Sequence, residues 1–374
     1  MRLVSFFTLF FASVLAFAQV PPPVVAANSW LMLDYTSGQV LASRDPDKRI
    51  EPASLTKLMT AYITFSALRE GKIKREQEVP VSEKAWKMEG SRMFIEPGKP
   101  VTVGELIQGM IVQSGNDACV ALAEAIAGST DAFVHIMNQE AKRLGMVNTH
   151  FTNTTGLPDA AHYTTARDLS ILAAAVVRDF PEDYSTYSQK EFRYNNIPQR
   201  NRNRLLWTDP TVDGMKTGHT DSAGYCLIAS AKRGERRIIT VVTGTSSEAA
   251  RAEESLKLLN HGFLFYDTVR LYSAAQAVST LPVWKGASNE VQAGFQRDFL
   301  MTVPKDQANK LKVDFVSLQP VIAPIAKGQQ VGTLKVSLDG RALGEYPVLA
   351  LQEVPLAGWF GRTWDALRLW IKSL

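Results

Sequence analysis

Two short apolar runs, Trp30 to Tyr35 and Val40 to Ser43, flank Thr36-Ser37-Gly38-Gln39, the pattern of a β-hairpin closed by a glycine-containing turn. At Ser54 the period changes. Leu55, Leu58, Tyr62, Phe65 and Leu68 recur at helical spacing until Gly71, which predicts a buried helix with Ser54 in its first turn. Two more helical stretches, Leu106 to Gln113 and Asp117 to Ala127, are interrupted at Ser114-Gly115-Asn116, where Gly and Asn accept a tight turn that helix interiors resist. Asp168 to Val177 is a further helix. The apolar runs Tyr225 to Ala231 and Arg236 to Val242 enclose Lys232-Arg233-Gly234-Glu235 and predict a second hairpin. Strands at both ends with helices between them imply one antiparallel sheet flanked by helices, an α+β arrangement that brings distant segments to one face.

Beyond about Tyr272 the helical pattern fades. Asp298 to Val303, Lys312 to Leu318, Val331 to Leu338 and Tyr346 to Ala350 are strand-like and separated by Pro and Gly, with Asp339-Gly340 a strong hairpin signal. This predicts a small all-β domain, a spacer or docking module with no chemistry of its own. From Pro355 the character changes again. On a helical wheel Leu356, Trp359, Phe360, Leu367, Trp370, Ile371 and Leu374 share one face; Arg362, Asp365, Arg368 and Lys372 lie opposite, with Trp364 at the flank and Leu369 breaking the polar side. The charges exclude a spanning helix, and Trp beside basic residues suits a membrane surface better than ordinary packing against the β domain. At the other end, Arg2, an apolar run from Leu3 to Phe17 and small residues at Ala16 and Ala18 read as a secretory leader. The expected organisation is therefore a leader over 1–18, a catalytic domain over 19–271, an all-β domain over 272–353 and an amphipathic anchoring helix over 354–374. Export would place the protein on the periplasmic face of the inner membrane, attached peripherally.

A chain of 374 residues can bury a large core and commonly divides in two. With 41 basic and 37 acidic residues the net charge is only +4, and no basic stripe with interleaved aromatics stands out, so nucleic acid is not an expected partner. Cys119 and Cys226 are the only cysteines; they read as small core residues, although an exported protein would allow them to pair.

The chemistry lies in three strings: Ser54-Leu55-Thr56-Lys57, Ser114-Gly115-Asn116 and Lys216-Thr217-Gly218. Each occurs once, and their order and separation make a specific signal of what is weak as Ser-x-x-Lys alone. Two serines, two lysines and an asparagine are what acyl transfer needs without a histidine base. Residues three apart share a helix face, so Ser54 and Lys57 can bring hydroxyl and amine together. Desolvation and a second cation, for which Lys216 is the candidate, lower a lysine pKa enough to leave some neutral amine as base. Ser114 is the candidate proton relay to the leaving amine. Asn116, both donor and acceptor, is placed to hold a substrate peptide group and Lys57 together. Lys216-Thr217-Gly218 reads as a strand edge carrying charge, hydroxyl and a glycine that lets substrate approach the backbone. His219 invites a Ser-His-Asp reading, but no Gly-x-Ser-x-Gly elbow exists and the other histidines sit in unremarkable contexts. No metal-ligating cluster appears and no cofactor is implied.

With these strings, and with Asn201-Arg202-Asn203-Arg204-Leu205-Leu206, Val212-Asp213-Gly214-Met215 and His219-Thr220, the chain resembles the low-molecular-mass penicillin-binding proteins, in particular the serine-type D-alanyl-D-alanine carboxypeptidases. The resemblance covers nearly the whole chain. It implies the penicillin-binding/β-lactamase-like transpeptidase fold and removal of the terminal D-alanine from peptidoglycan stem pentapeptides through an acyl-enzyme on Ser54, with β-lactams acylating the same serine. It further implies that the Lys216 strand binds the peptide in extended form and that Thr217 and Arg251 meet its terminal carboxylate. The backbone N–H groups of Ser54 and His219 would form the oxyanion hole, and Arg202 would lie nearby. Class A β-lactamases share the strings but usually carry Glu-x-x-Leu-Asn between the second and third, which is absent here. A D,D-endopeptidase and a catalytically silent wall-binding protein are the remaining alternatives.

Overall fold

The computed structural model describes residues 20, 21 and 23–372. The expected leader lies outside the described residues.

The first hairpin forms as β1 (Ser29–Asp34) and β2 (Gln39–Arg44). After a 3-10 turn over Ala53–Thr56 come α1 (Lys57–Arg69), α2 (Val103–Gln108), α3 (Asn116–Ala127), α4 (Thr130–Leu144) and α5 (Ala166–Asp179). The chain then returns as β3 (Val212–Thr220), β4 (Gly224–Arg233) and β5 (Arg236–Thr245), followed by α6 (Glu248–Phe265). The five strands make one antiparallel sheet in the order β2-β1-β5-β4-β3.

Alternation along β1 sets the two layers. Leu31 and Leu33 join the large core with α1 and α5, whereas Trp30 and Met32 face the other way, toward Leu258 and Leu259 of α6. Gly262 of α6 permits that approach, since a Cβ there would lie 2.5 Å from the Ile238 side chain. Helix α1 is buried on nearly every side, which explains how a lysine in its first turn loses contact with water. Cys119 and Cys226 are buried and unpaired, as core residues.

Directly after α6 the strand β6 (Tyr266–Tyr272) pairs with a later strand. Helix and strand abut without a turn signal there, and the pattern alone gives no break. The β unit continues with β7 (Ala277–Trp284), β8 (Glu290–Gly294), β9 (Phe299–Pro304), β10 (Leu311–Ser317), β11 (Val321–Ile322), β12 (Gln330–Leu338) and β13 (Arg341–Ala350). Six of them form a sheet in the order β10-β12-β13-β8-β7-β11 around Val291, Ala293, Leu334, Val336 and Val348. The buried Asp34 carboxylate ties the units together, accepting from Arg236 at 2.7 Å and from Thr268 at 2.9 Å.

The chain ends in α7 (Trp359–Lys372). Its polar side meets the β unit: Asp365 accepts from the Lys285 backbone N–H at 2.7 Å and Arg368 lies 5.6 Å from the Trp284 ring centre. Trp359, Phe360, Trp364, Leu367, Trp370 and Ile371 are left exposed. Among the described residues no single helix is long and apolar enough to cross a membrane.

Candidate active site

Ser54 is carried by the 3-10 turn that opens α1, where Ala53 adopts a left-handed φ of 47°. Gly156 makes this turn possible: its φ is +88°, and a Cβ would lie 1.7 Å from the Ala53 carbonyl oxygen. Behind the serine, Lys57 is 1% exposed, and its Nζ donates to Ser54 Oγ at 2.9 Å and to the Thr155 carbonyl at 2.6 Å. Burial lowers its pKa from the ordinary 10.5 to about 8, and Arg202 adds to the fall against the opposing pull of Cys119 and Asp117.

Ser114 closes a π-helical turn, Gly109–Gln113, in a left-handed conformation with φ 67°. Lys216 of β3, 3% exposed, donates to Ser114 Oγ at 2.9 Å and to the Thr217 carbonyl at 3.1 Å. Its pKa lies well below the ordinary lysine value, first through burial and then through the charges of Lys57 and Arg202. Two serine–lysine pairs therefore face one cavity of about 430 Å³, each hydroxyl held by an amine whose charge is disfavoured.

The other predicted residues gather here. Asn116, Arg202, Thr217, Gly218, His219 and Arg251 line the same cavity as Ser54 and Ser114. One of them, Asn116, makes a contact other than the expected one. Asn116 does not bridge to Lys57: its Nδ2 donates to the Glu89 carbonyl at 2.6 Å, its Oδ1 is buried without a protein partner, and Thr155 takes the lysine instead. A Cβ on Gly218 would also meet Leu55, Pro52 and Ala53 of the nucleophile turn at 3.2–3.3 Å. His219 is exposed and stacks on Tyr225 with ring centres 4.0 Å apart. Arg251 is buried and donates to the Gly218 carbonyl at 3.3 Å, with Glu248 at 3.6 Å. Arg202 donates to Ser91 at 2.7 Å, and Ser91 donates to the Gln113 carbonyl at 3.0 Å, closing the rim.

Sequence reading missed four supports. Thr155 supplies the carbonyl that orients Lys57, and Gly156 admits the turn. Asp117 is buried and accepts from the backbone N–H groups of Met93 and Phe94 at 3.0 and 2.8 Å, pinning the loop before α2 to the start of α3. His162 sits in an unremarkable sequence context, yet its Nδ1 accepts from the Thr152 N–H at 3.0 Å. Nε2–H therefore donates to Thr56, 2.8 Å away in the nucleophile turn. Burial lowers the His162 pKa to about 4, so it stays neutral in this role. The signal available was Asn153-Thr154-Thr155-Gly156, a polar turn whose Asn153 Oδ1 accepts from the N–H groups of Thr155 and Gly156.

A nucleophile–lysine pair opposite a second serine–lysine pair on a sheet edge defines a serine acyl-transfer enzyme of the penicillin-binding class. The chain belongs to the D-alanyl-D-alanine carboxypeptidase family, peptidase S11, which it matches over residues 16–247. Residues 266–356 match the C-terminal domain of penicillin-binding protein 5. The chain is 43% identical to D-alanyl-D-alanine carboxypeptidase DacC of Escherichia coli K12 over 370 residues, which is 96% of this chain and 92% of that protein. Against DacA of the same strain it is also 43% identical, over 93% of this chain and 88% of the other. The crystal structure of penicillin-binding protein 5 from Haemophilus influenzae superposes with a TM-score of 0.86 at 41% identity, covering 90% of this chain and all of that one.

Proposed function

We propose that the protein removes the terminal D-alanine from peptidoglycan stem pentapeptides as a serine D-alanyl-D-alanine carboxypeptidase. The observation that carries this is the Ser54–Lys57 contact at 2.9 Å with a lysine pKa near 8, a serine beside an amine able to take its proton. Neutral Lys57 accepts the Ser54 proton as Oγ attacks the penultimate carbonyl. The backbone N–H groups of Ser54 and His219 take the oxyanion. Ser114, held by Lys216, passes a proton to the leaving nitrogen as the peptide bond breaks, and D-alanine departs. Water then attacks the ester, giving a proton back through the same groups, and Ser54 is regenerated. The terminal carboxylate meets Thr217 and the buried Arg251, while the unpartnered Oδ1 of Asn116 is free to accept a substrate N–H. β-Lactams acylate Ser54 by the same attack.

The residue 1–18 leader exports the chain, and α7 attaches it peripherally to the periplasmic face of the inner membrane. The exposure of Trp359, Phe360 and Trp364 supports this reading. The test is covalent. A fluorescent penicillin should label the wild type, with the adduct on Ser54 by mass spectrometry, and Ser54→Ala should lose both labelling and D-alanine release while keeping its melting temperature. An adduct elsewhere, or activity in the variant, removes the mechanism.

A further inference from the structure

A second groove, of about 660 Å³, lies beside the catalytic cavity on the loop that Asp117 pins. Trp86 and Phe94, 43% and 40% exposed, line it together with Arg92, Glu83 and Glu96. The two sites share a chain segment: Gly90 and Ser91 line the catalytic cavity and Arg92 the groove. Phe94 is held outward at a left-handed φ of 70°, which a bulky aromatic residue adopts only where its surroundings impose it. The pin is the buried Asp117 carboxylate on the Phe94 N–H, and Arg92 lies 5.4 Å from the Phe94 ring centre.

We infer that this groove is a saccharide subsite that holds an N-acetylated amino sugar of the glycan strand to which the stem peptide is attached. The inference rests on the reading of the substrate given above. A pyranose ring has an apolar C–H face and a rim of hydroxyl and acetamido groups. The groove offers both complements: exposed aromatic faces, and carboxylates at its rim. Glu83 is held by Lys87 at 2.8 Å and Glu96 by Lys99 at 2.7 Å and Asn195 at 3.0 Å. Each carboxylate has lone pairs to spare for a sugar O–H or N–H. A lipid chain or an apolar protein face would desolvate those carboxylates and offer their remaining lone pairs no donor. The substrate is tethered to its sugar, so a subsite reached along residues 90–92 adds binding without touching the reacting atoms.

The experiment compares a soluble pentapeptide with the same pentapeptide on an N-acetylglucosaminyl-N-acetylmuramyl disaccharide, in the wild type, Trp86→Ala and Phe94→Gly. The wild type should show a KM roughly three- to tenfold lower for the disaccharide substrate, the factor one aromatic contact supplies. Both variants should lose that preference, with kcat on the bare peptide and acylation by a fluorescent penicillin unchanged. Equal KM for the two substrates in the wild type, or a preference that survives both substitutions, overturns the subsite alone. Failure of the wild type to cleave the bare pentapeptide overturns the functional reading, and the subsite with it.

Discussion

Replacing Lys57 by Met separates its chemical role from its structural cost. Wild-type Lys57 has a pKa of about 8 in place of the ordinary 10.5, so at pH 7 about one molecule in ten carries the neutral amine, against about one in three thousand for an unperturbed lysine. The folded pKa is the lower one, so between about pH 8 and 10.5 the unfolded chain binds more protons and stability rises with pH. Below about pH 8 the penalty for a buried charge is present in full, about 3 kcal/mol. Methionine removes that penalty but leaves the Thr155 carbonyl without its donor, at about 1–3 kcal/mol. Lys57→Met should therefore be inactive yet at least as stable as the wild type at pH 7, and its stability relative to the wild type should fall by about 2–3 kcal/mol by pH 10. Urea unfolding at both pH values measures this. In parallel, stopped-flow acylation by a fluorescent penicillin should rise with pH to a plateau through a midpoint near 8, and Lys57→Arg, which stays protonated, should lose about 10²- to 10⁴-fold. A midpoint near 10, a flat profile, an active arginine variant, or a stability difference that does not change with pH would refute the assignment of Lys57 as the buried base.

Arg251→Ala should lower kcat/KM for the pentapeptide at least tenfold, about 1.4 kcal/mol of transition-state binding. Amidating the peptide terminus should cost the wild type a similar factor and the variant little; equal losses in both would exclude Arg251 as the carboxylate partner. His162→Gln keeps one acceptor and one donor and should retain most activity, whereas His162→Ala frees the Thr56 turn and should lower kcat more than KM. Truncation is best made after Ala357, because Pro355 and Ala357 still hydrogen-bond residues 285–287 of the β unit. The shortened protein should leave the membrane fraction with full activity on soluble peptide, and Trp359→Glu with Trp370→Glu should weaken binding of the full-length protein to phospholipid vesicles.

Local pattern determined a great deal by itself. The 3.6-residue period after Ser54, the turn at Ser114-Gly115-Asn116 and the strand at Lys216 are properties of neighbouring residues, and a helix, a turn and a strand stand there. The three strings were legible for the same reason, and with them the family. What tertiary structure decided is how those pieces act on one another. Lys57 loses its proton easily only because a helix buried on nearly every side removes it from water, and its second acceptor, Thr155, is 98 residues away. Lys216 and Ser114 meet across 102 residues. Asn116 turns to Glu89, Gly218 lies against a turn from another element, and His162 reaches Thr56 across 106 residues. No periodicity encodes such contacts, because they depend on which faces meet when the sheet and helices close on one core. Burial, and the pKa it sets, are properties of that closure.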